Sequence, residues 1–221
     1  MKAKISPSVM CVDFFDLQGC VEAMERSGIE YIHVDIMDGV FVPNFTLGTD
    51  FIKKLKAKTA IPLDIHLMIT KPEDKLGWFE FGKGDLVSVH IESTEDMHGA
   101  LSLIRERGAG AMIALSPDTP VDVIWEYIDQ IEGVLIMTVY PGFAGQKLIP
   151  ETLDKVRALR KELDRRGYEH IMLEVDGNVS FENAPKMREA GADIFVAGTS
   201  SVFTKDMEFS QATSKLRELI K

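Results

Sequence analysis

Short apolar runs rich in β-branched residues recur along the chain at 3–10, 31–38, 63–69, 85–92, 110–116, 133–140, 170–177 and 194–200. Between and after them lie segments whose apolar residues return at helical spacing: 14–27, 49–58, 72–82, 96–107, 120–131, 150–166, 180–190 and 207–220. A strand repeats every ~2 residues and a helix every ~3.6, which separates the two sets. A helix between two strands carries the chain back to the end of the sheet it came from, so strict alternation predicts parallel pairing. Eight such units are the number that closes a barrel. The expected architecture is therefore α/β, a single (β/α)8 TIM barrel of eight parallel strands and eight helices spanning residues 1–221.

Local punctuation supports these elements. Thr70 and Thr119 stand before Pro72 and Pro120, and Gly28, Gly108, Gly167 and Gly191 follow helix ends. No low-complexity stretch or Pro/Ser-rich linker marks a domain boundary, and one barrel accounts for a chain of 221 residues. A doubly wound open sheet also alternates strands and helices, but it normally carries a glycine fingerprint after its first strand. Here that place reads Ser8-Val-Met-Cys-Val-Asp13.

Composition narrows the partners. With 25 basic and 35 acidic residues the net charge is -10, and no Lys/Arg cluster offers a footprint for nucleic acid. No apolar run reaches the roughly 18–20 residues of a bilayer span, and Met1–Met10 lacks the apolar block of a secretory signal. A soluble, cytoplasmic protein is expected, with no membrane partner. Cys11 and Cys20 lack metal-ligand spacing and are read as free thiols.

The chemistry should lie at the C-terminal ends of the strands. His33 and Asp35 alternate with Ile32, Val34 and Ile36, so they share one face of a strand whose two faces should both be dry. Buried polar groups need a partner. Asp64, His66, His90, Glu92, Glu174 and Asp176 occupy similar strand ends. His33, Asp35, His66 and Asp176 can meet as a set of two nitrogens and two carboxylates. Such a set suits one divalent metal ion, zinc first, with manganese, iron or cobalt as alternatives. Asp64 is placed to orient a ligand histidine. Any one of these histidines alone reads better as a hydrogen-bonded core residue. Recurrence of the His/Asp pairing on two strands shifts the balance toward metal.

A second group is glycine-rich: Pro141-Gly142-Phe143-Ala144-Gly145-Gln146, Asp176-Gly177-Asn178 and Ala197-Gly198-Thr199-Ser200. Alone, each is a tight turn. Together they follow the last three strands, in the quadrant where this architecture commonly binds phosphate through backbone N–H groups. Met37, Met68 and Met137 sit at corresponding strand positions, as flexible core filler or as an apolar lining for substrate. A metal, two carboxylates and a phosphate pocket together suit proton abstraction beside the carbonyl of a sugar phosphate. Asp35 and Asp176 would act from opposite faces of a 2,3-enediolate and invert C3, with acid and base roles exchanging with reaction direction.

These residues give the sequence a resemblance to the ribulose-phosphate 3-epimerase family. The matching blocks are Ile5-Ser-Pro-Ser8, His33-Val-Asp-Ile-Met-Asp-Gly-Val-Phe-Val-Pro-Asn44, Asp64-Ile-His-Leu-Met68, Met137-Thr-Val-Tyr-Pro-Gly-Phe-Ala-Gly-Gln146, Glu174-Val-Asp-Gly177 and Ala197-Gly-Thr-Ser-Ser-Val-Phe203. The resemblance implies metal binding by His33, Asp35, His66 and Asp176, and acid/base roles for Asp35 and Asp176. It further implies substrate contacts from Ser8 and His66, and a phosphate end built by Gly142, Phe143, Ala144, Gly145, Gly177, Asn178, Gly198, Thr199 and Ser200. Met37, Met68 and Met137 are expected to cap the enediolate. A homo-oligomer is the default for such barrels.

Three departures bear on substrate. The family usually reads Ser-Ala-Asp, Gly-Phe-Gly-Gly and Asp-Gly-Gly where this chain has Cys11-Val-Asp13, Gly142-Phe-Ala-Gly145 and Asp176-Gly-Asn178. The Ser6-Pro-Ser-Val-Met-Cys-Val-Asp13 and Pro141-Gly-Phe-Ala-Gly-Gln146 forms are similar to the branch acting on D-allulose 6-phosphate, which is the expected substrate, with D-ribulose 5-phosphate as the alternative. A barrel that binds phosphosugars without catalysis is a more remote reading. A metal-free decarboxylase would carry Asp-x-Lys-x-x-Asp, whereas the chain has Asp35-Ile-Met-Asp38 and no lysine there.

Overall fold

Alternation along each strand divides the interior into two layers. A computed structural model describes residues 1–221. In it, strands β1 (Lys4–Pro7), β2 (Ile32–Asp38), β4 (Leu63–Met68), β5 (Leu86–His90), β6 (Gly110–Leu115), β7 (Gly133–Met137), β8 (Met172–Asp176) and β9 (Ile194–Ala197) pair in parallel. The short β3 (Phe45–Thr46) adds to β2 in antiparallel sense. The sheet runs β1-β9-β8-β7-β6-β5-β4-β2-β3. It is curled, because Ser8 bridges in parallel to His33 and the Tyr31 N–H donates to the Ile5 carbonyl at 3.4 Å, bringing β1 beside β2.

Residues of one parity, such as Ile5, Val34, Ile65, Val87, Ile113, Ile136, Val175 and Phe195, join the large core shared with the helices. Those of the other parity turn to the concave side. Toward its lower end Leu86, Met112, Leu135, Met172 and Ile194 pack together. Further up the same parity supplies Ser6, Ser8, His33, Asp35, Asp64, His66, Ser88, His90 and Glu174, all buried. A sheet with both faces covered thus gathers its polar residues on one side, where they must satisfy one another or a ligand.

The helices are α1 (Leu17–Arg26), α2 (Thr49–Lys56), α3 (Pro72–Lys75), α4 (Met97–Glu106), α5 (Glu151–Arg166), α6 (Ala184–Ala190) and α7 (Phe209–Leu219). Two expected helices differ. The 72–82 segment gives only one α-turn before a 3-10 turn at Leu76–Trp78, in a stretch interrupted by Gly77 and Gly82. Residues Val121–Gln130 wind as 3-10 helix, because Val121, Val123, Ile124 and Ile128, with Trp125 and Tyr127, crowd the preceding turn of an α-helix. α5 ends as its sequence predicts. Gly167 takes φ 83, and its N–H caps the carbonyls of Asp164 and Leu163. No helix is long and apolar enough to cross a membrane, and both cysteines are free thiols.

Candidate active site

Register builds the site. In the parallel pair β2/β4, His33 stands opposite Asp64 and Asp35 opposite His66. The two strands carry the same residue types in reversed order, so each imidazole has a carboxylate both along its own strand and across. His33 Nε2 lies 3.2 Å from Asp35 Oδ1 and 3.8 Å from Asp176 Oδ2. His66 Nδ1 lies 3.4 Å from Asp35 Oδ1 and 3.5 Å from Asp176 Oδ2, and it has no hydrogen-bond partner although fully buried.

These four edges test whether a metal fits. Four ligands at the ~2.0–2.1 Å typical of zinc bonds, arranged as a tetrahedron, stand ~3.3–3.4 Å apart. The measured separations of 3.2–3.8 Å match that spacing to within a few tenths of an ångström. The orphaned His66 Nδ1 also faces the space between the carboxylates. His33, Asp35, His66 and Asp176 form a metal-capable cluster.

The neighbouring groups fix this cluster in place. Ser8 donates its hydroxyl to Asp35 Oδ2 at 2.7 Å, leaving Oδ1 toward the histidines. His33 Nδ1 meets Asp64 Oδ2 at 2.7 Å, and Ser6 donates to the same oxygen at 2.8 Å. Burial alone would lower the His33 pKa, but the Asp64 and Asp35 carboxylates beside it outweigh burial and hold it well above 6.5. Burial likewise opposes ionisation of Asp35, yet His33 and His66 pull its pKa below the usual carboxylate range. Glu174 is the opposite case. Wholly buried and close to Asp64, with neither oxygen hydrogen-bonded, its carboxyl is driven well above 4.5 by burial first and by the Asp64 charge second.

A cavity opens above the cluster. Asp35 and Asp176 reach it, as do Ser8, Met37, Met68 and Met137. The three glycine loops form its other end, with Gly142, Phe143, Ala144, Gly145, Gly177, Asn178, Gly198, Thr199 and Ser200 all on the wall. His33 and His66 do not line it. Both are fully buried, and neither reaches the cavity wall, where the sequence placed a direct substrate contact for His66. Met10 and Cys11 also border the cavity, on the 3-10 turn after β1. They lie in the Ser8–Asp13 block that the sequence singled out, but no local pattern marks them as wall residues.

The loops are braced rather than loose. Asn178 sits at φ 49 and turns its amide away to donate to the Gln146 carbonyl at 2.6 Å, while its oxygen accepts from Asn183 at 2.7 Å. It is a strut between two loops. Gln146 in turn donates to the carbonyls of Tyr140 and Phe143, and the Tyr140 hydroxyl donates to Asp118 at 2.9 Å. Asn44 crosses the mouth to donate to the Gly142 carbonyl at 2.8 Å.

The model of one family, described as the ribulose-phosphate 3 epimerase family, matches residues 4–203. The chain belongs to the ribulose-phosphate 3-epimerase family. It is similar to the ribulose-phosphate 3-epimerase of Bacillus subtilis, at 39% identity over 97% of this chain and 98% of the relative. Against the chloroplastic ribulose-5-phosphate-3-epimerase of Arabidopsis thaliana the identity is 42% over 91% of this chain and 72% of the relative. Homology makes the chain an epimerase, and so an isomerase. Among solved structures it resembles 3-keto-L-gulonate-6-phosphate decarboxylase from Vibrio cholerae O1, with TM-score 0.69 and 14% identity over 100% of this chain and 98% of that one. Orotidine 5'-phosphate decarboxylase from Pyrococcus horikoshii gives TM-score 0.65 at 15% identity over 98% of each chain. At such identities these likenesses speak for the fold alone. The expected hexulose phosphate substrate finds no support in the relatives' names, which favour the pentulose phosphate.

Proposed function

We propose that this protein is a metal-dependent ketose-phosphate 3-epimerase interconverting D-ribulose 5-phosphate and D-xylulose 5-phosphate. One observation carries the chemistry: Asp35 and Asp176 approach the same two histidines at the floor of one cavity. The names of full-length relatives carry the substrate. A divalent cation held by His33, Asp35, His66 and Asp176, zinc before manganese, iron or cobalt, would supply positive charge beside the substrate's carbonyl and hydroxyl oxygens and acidify C3–H.

The chain's own residues do the rest. One of Asp35 and Asp176 takes the C3 proton from one face, and the other returns a proton from the opposite face, which inverts the carbon. The Ser8 hydroxyl steadies Asp35 through Oδ2 and must turn as that oxygen gains a proton. Met37, Met68 and Met137 cover the planar enediolate with apolar, polarisable surface and keep water from it. Gly142, Phe143, Ala144, Gly145, Gly177, Asn178, Gly198, Thr199 and Ser200 surround the phosphate, held by backbone N–H groups.

A second reading, epimerisation of D-allulose 6-phosphate to D-fructose 6-phosphate, draws on Cys11 and Ala144. Both depart from the family's usual motifs and both border the cavity. We further read the eight parallel strands as one closed (β/α)8 barrel over the whole chain, on the strength of the Ser8–His33 bridge. The catalytic unit is a cytoplasmic homo-oligomer in this reading.

The test measures kcat/KM on ribulose 5-phosphate and allulose 6-phosphate, with exchange of C3 hydrogen followed in deuterated water. A higher value for ribulose 5-phosphate is expected, and a higher value for allulose 6-phosphate would move the assignment to the second reading. Binding of either sugar phosphate without C3 exchange would overturn the epimerase. Asp35→Asn and Asp176→Asn should each cut turnover by roughly 100-fold or more and weaken zinc retention.

A further inference from the structure

Epimerisation gives no task to two polar residues, His90 at the end of strand β5 and Glu92 in the turn that follows it. His90 is fully buried, and its Nε2 lies 2.9 Å from Nε2 of His66, with the rings stacked at 5.0 Å between centroids. On its other side His90 Nδ1 meets Glu92 Oε2 at 2.9 Å. Glu92 Oε1 accepts from the Ser116 backbone N–H at 2.8 Å and from the Thr119 hydroxyl. The chain Glu92–His90–His66 therefore ends at His66 Nδ1, the buried nitrogen left without a hydrogen bond beside Asp35 and Asp176.

Proton counting gives this chain a direction. The Ser116 N–H cannot turn away, so Glu92 has to accept there, and as a carboxylate it accepts on both oxygens. His90 must then carry its proton on Nδ1, which leaves Nε2 as a lone pair. The 2.9 Å contact between the two Nε2 atoms needs one proton, and only His66 can supply it. A neutral His66 protonated on Nε2 has a bare Nδ1.

We propose that Glu92, acting through His90, is the positioning residue that sets the His66 tautomer and keeps a metal-binding lone pair on Nδ1. The proposal rests on the metal reading of the four-residue cluster. It gives Glu92 a role at a distance from the cavity, which it does not line.

Glu92→Gln tests it with almost no change in shape. The amide has one acceptor. When its oxygen stays on the Ser116 N–H, its NH2 faces His90 Nδ1, which must now accept. The His90 proton moves to Nε2, and the His66 proton moves to Nδ1, the metal face. Each ring keeps one proton and both are reversed. With five histidines in the chain, long-range 1H–15N spectra of histidine-labelled protein can assign every ring.

The wild type should show His90 protonated on Nδ1 with and without zinc, and metal-free Glu92→Gln should show it on Nε2. Zinc affinity, read by competition with a chromophoric chelator, should fall about 10- to 100-fold in Glu92→Gln. It should fall less in Glu92→Met, which removes the acceptor without presenting a donor. A merely structural role would not rank glutamine below methionine. Zinc bound equally by the wild type and Glu92→Gln, or a wild-type His90 protonated on Nε2, would remove the role of Glu92. A folded wild type that takes up no zinc would instead remove the metal reading beneath it.

Discussion

Gly177 follows Asp176 directly, and alanine there should cost both stability and turnover. Its φ of +121° lies where an L side chain is strained, and a Cβ would stand 2.7 and 2.8 Å from the Val139 methyls and 2.8 Å from the Val139 backbone nitrogen. The methyls can rotate, but the nitrogen cannot. Backbone strain is worth about 1–3 kcal/mol and overpacking about 1–3 kcal/mol, so Gly177→Ala should lose about 2–6 kcal/mol. Gly167 separates the two costs, because its φ is +83° with nothing within 4 Å of a new Cβ. Gly167→Ala should lose only about 1–2 kcal/mol. Urea unfolding of both variants, compared at equal m-value, measures the difference. The clash also reaches the site, since the Thr138 hydroxyl donates to the Asp176 and Gly177 carbonyls at 2.9 and 2.5 Å and ties this turn to the end of β7. A displacement of ~1 Å at Asp176 would lower turnover ~100-fold, while Gly167→Ala should turn over normally. Should the two variants agree within about 0.5 kcal/mol, the scatter expected of independent sites, the steric reasoning is wrong.

Asp38 supplies a test by pH. It accepts N–H bonds from Val40, Phe41 and Thr70 and an ion pair from Lys75; burial opposes its charge, but these donors prevail and hold its pKa at about 2. A pKa below the unfolded value of ~3.9 means stability present above about pH 4 and lost as pH falls toward 2. Asp38→Asn should thus be less stable than wild type by about 1–2 kcal/mol at neutral pH, with the gap closing near pH 2. A gap in urea midpoints that stays constant with pH would contradict the assignment. Zinc at about 100 times its Kd should stabilise the wild type by ~2.7 kcal/mol, to be seen as a thermal shift that a chelator reverses. His66→Ala should show no such shift. Unchanged wild-type melting on adding zinc counts against the cluster as a metal site.

The strands were the most legible part of this chain. All eight apolar runs contain one, because a parallel strand buried on both faces is written as a continuous β-branched segment, and the ends alone are trimmed. Helical spacing proved a weaker guide at 121–130, where the apolar residues return on time but are of types that resist the α-helix. Two-residue β3 has no period to detect. The site was visible through strand parity, which puts His33, Asp35, Asp64, His66, Glu174 and Asp176 on one side. Parity does not say which of these side chains reach the cavity, so it did not separate the two histidines from Asp35 and Asp176, which line it. Nor could it tell that Asn178 points into a loop brace, since that depends on a positive φ and a partner 32 residues away. The raised pKa of Glu174 likewise depends on its burial and on Asp64, a residue on another strand.

The crossed order of residues on β2 and β4 has a consequence for folding. Only in the native alignment do His33 and Asp64, and Asp35 and His66, stand opposite one another. A slip of one residue would turn the two on the displaced strand toward the apolar helices, and a slip of two would set His33 against His66 and strip both of a carboxylate across the sheet. The four residues act as a parity check on strand pairing: a misaligned pair buries uncompensated charge at once, before any ligand or substrate is present to reveal the error.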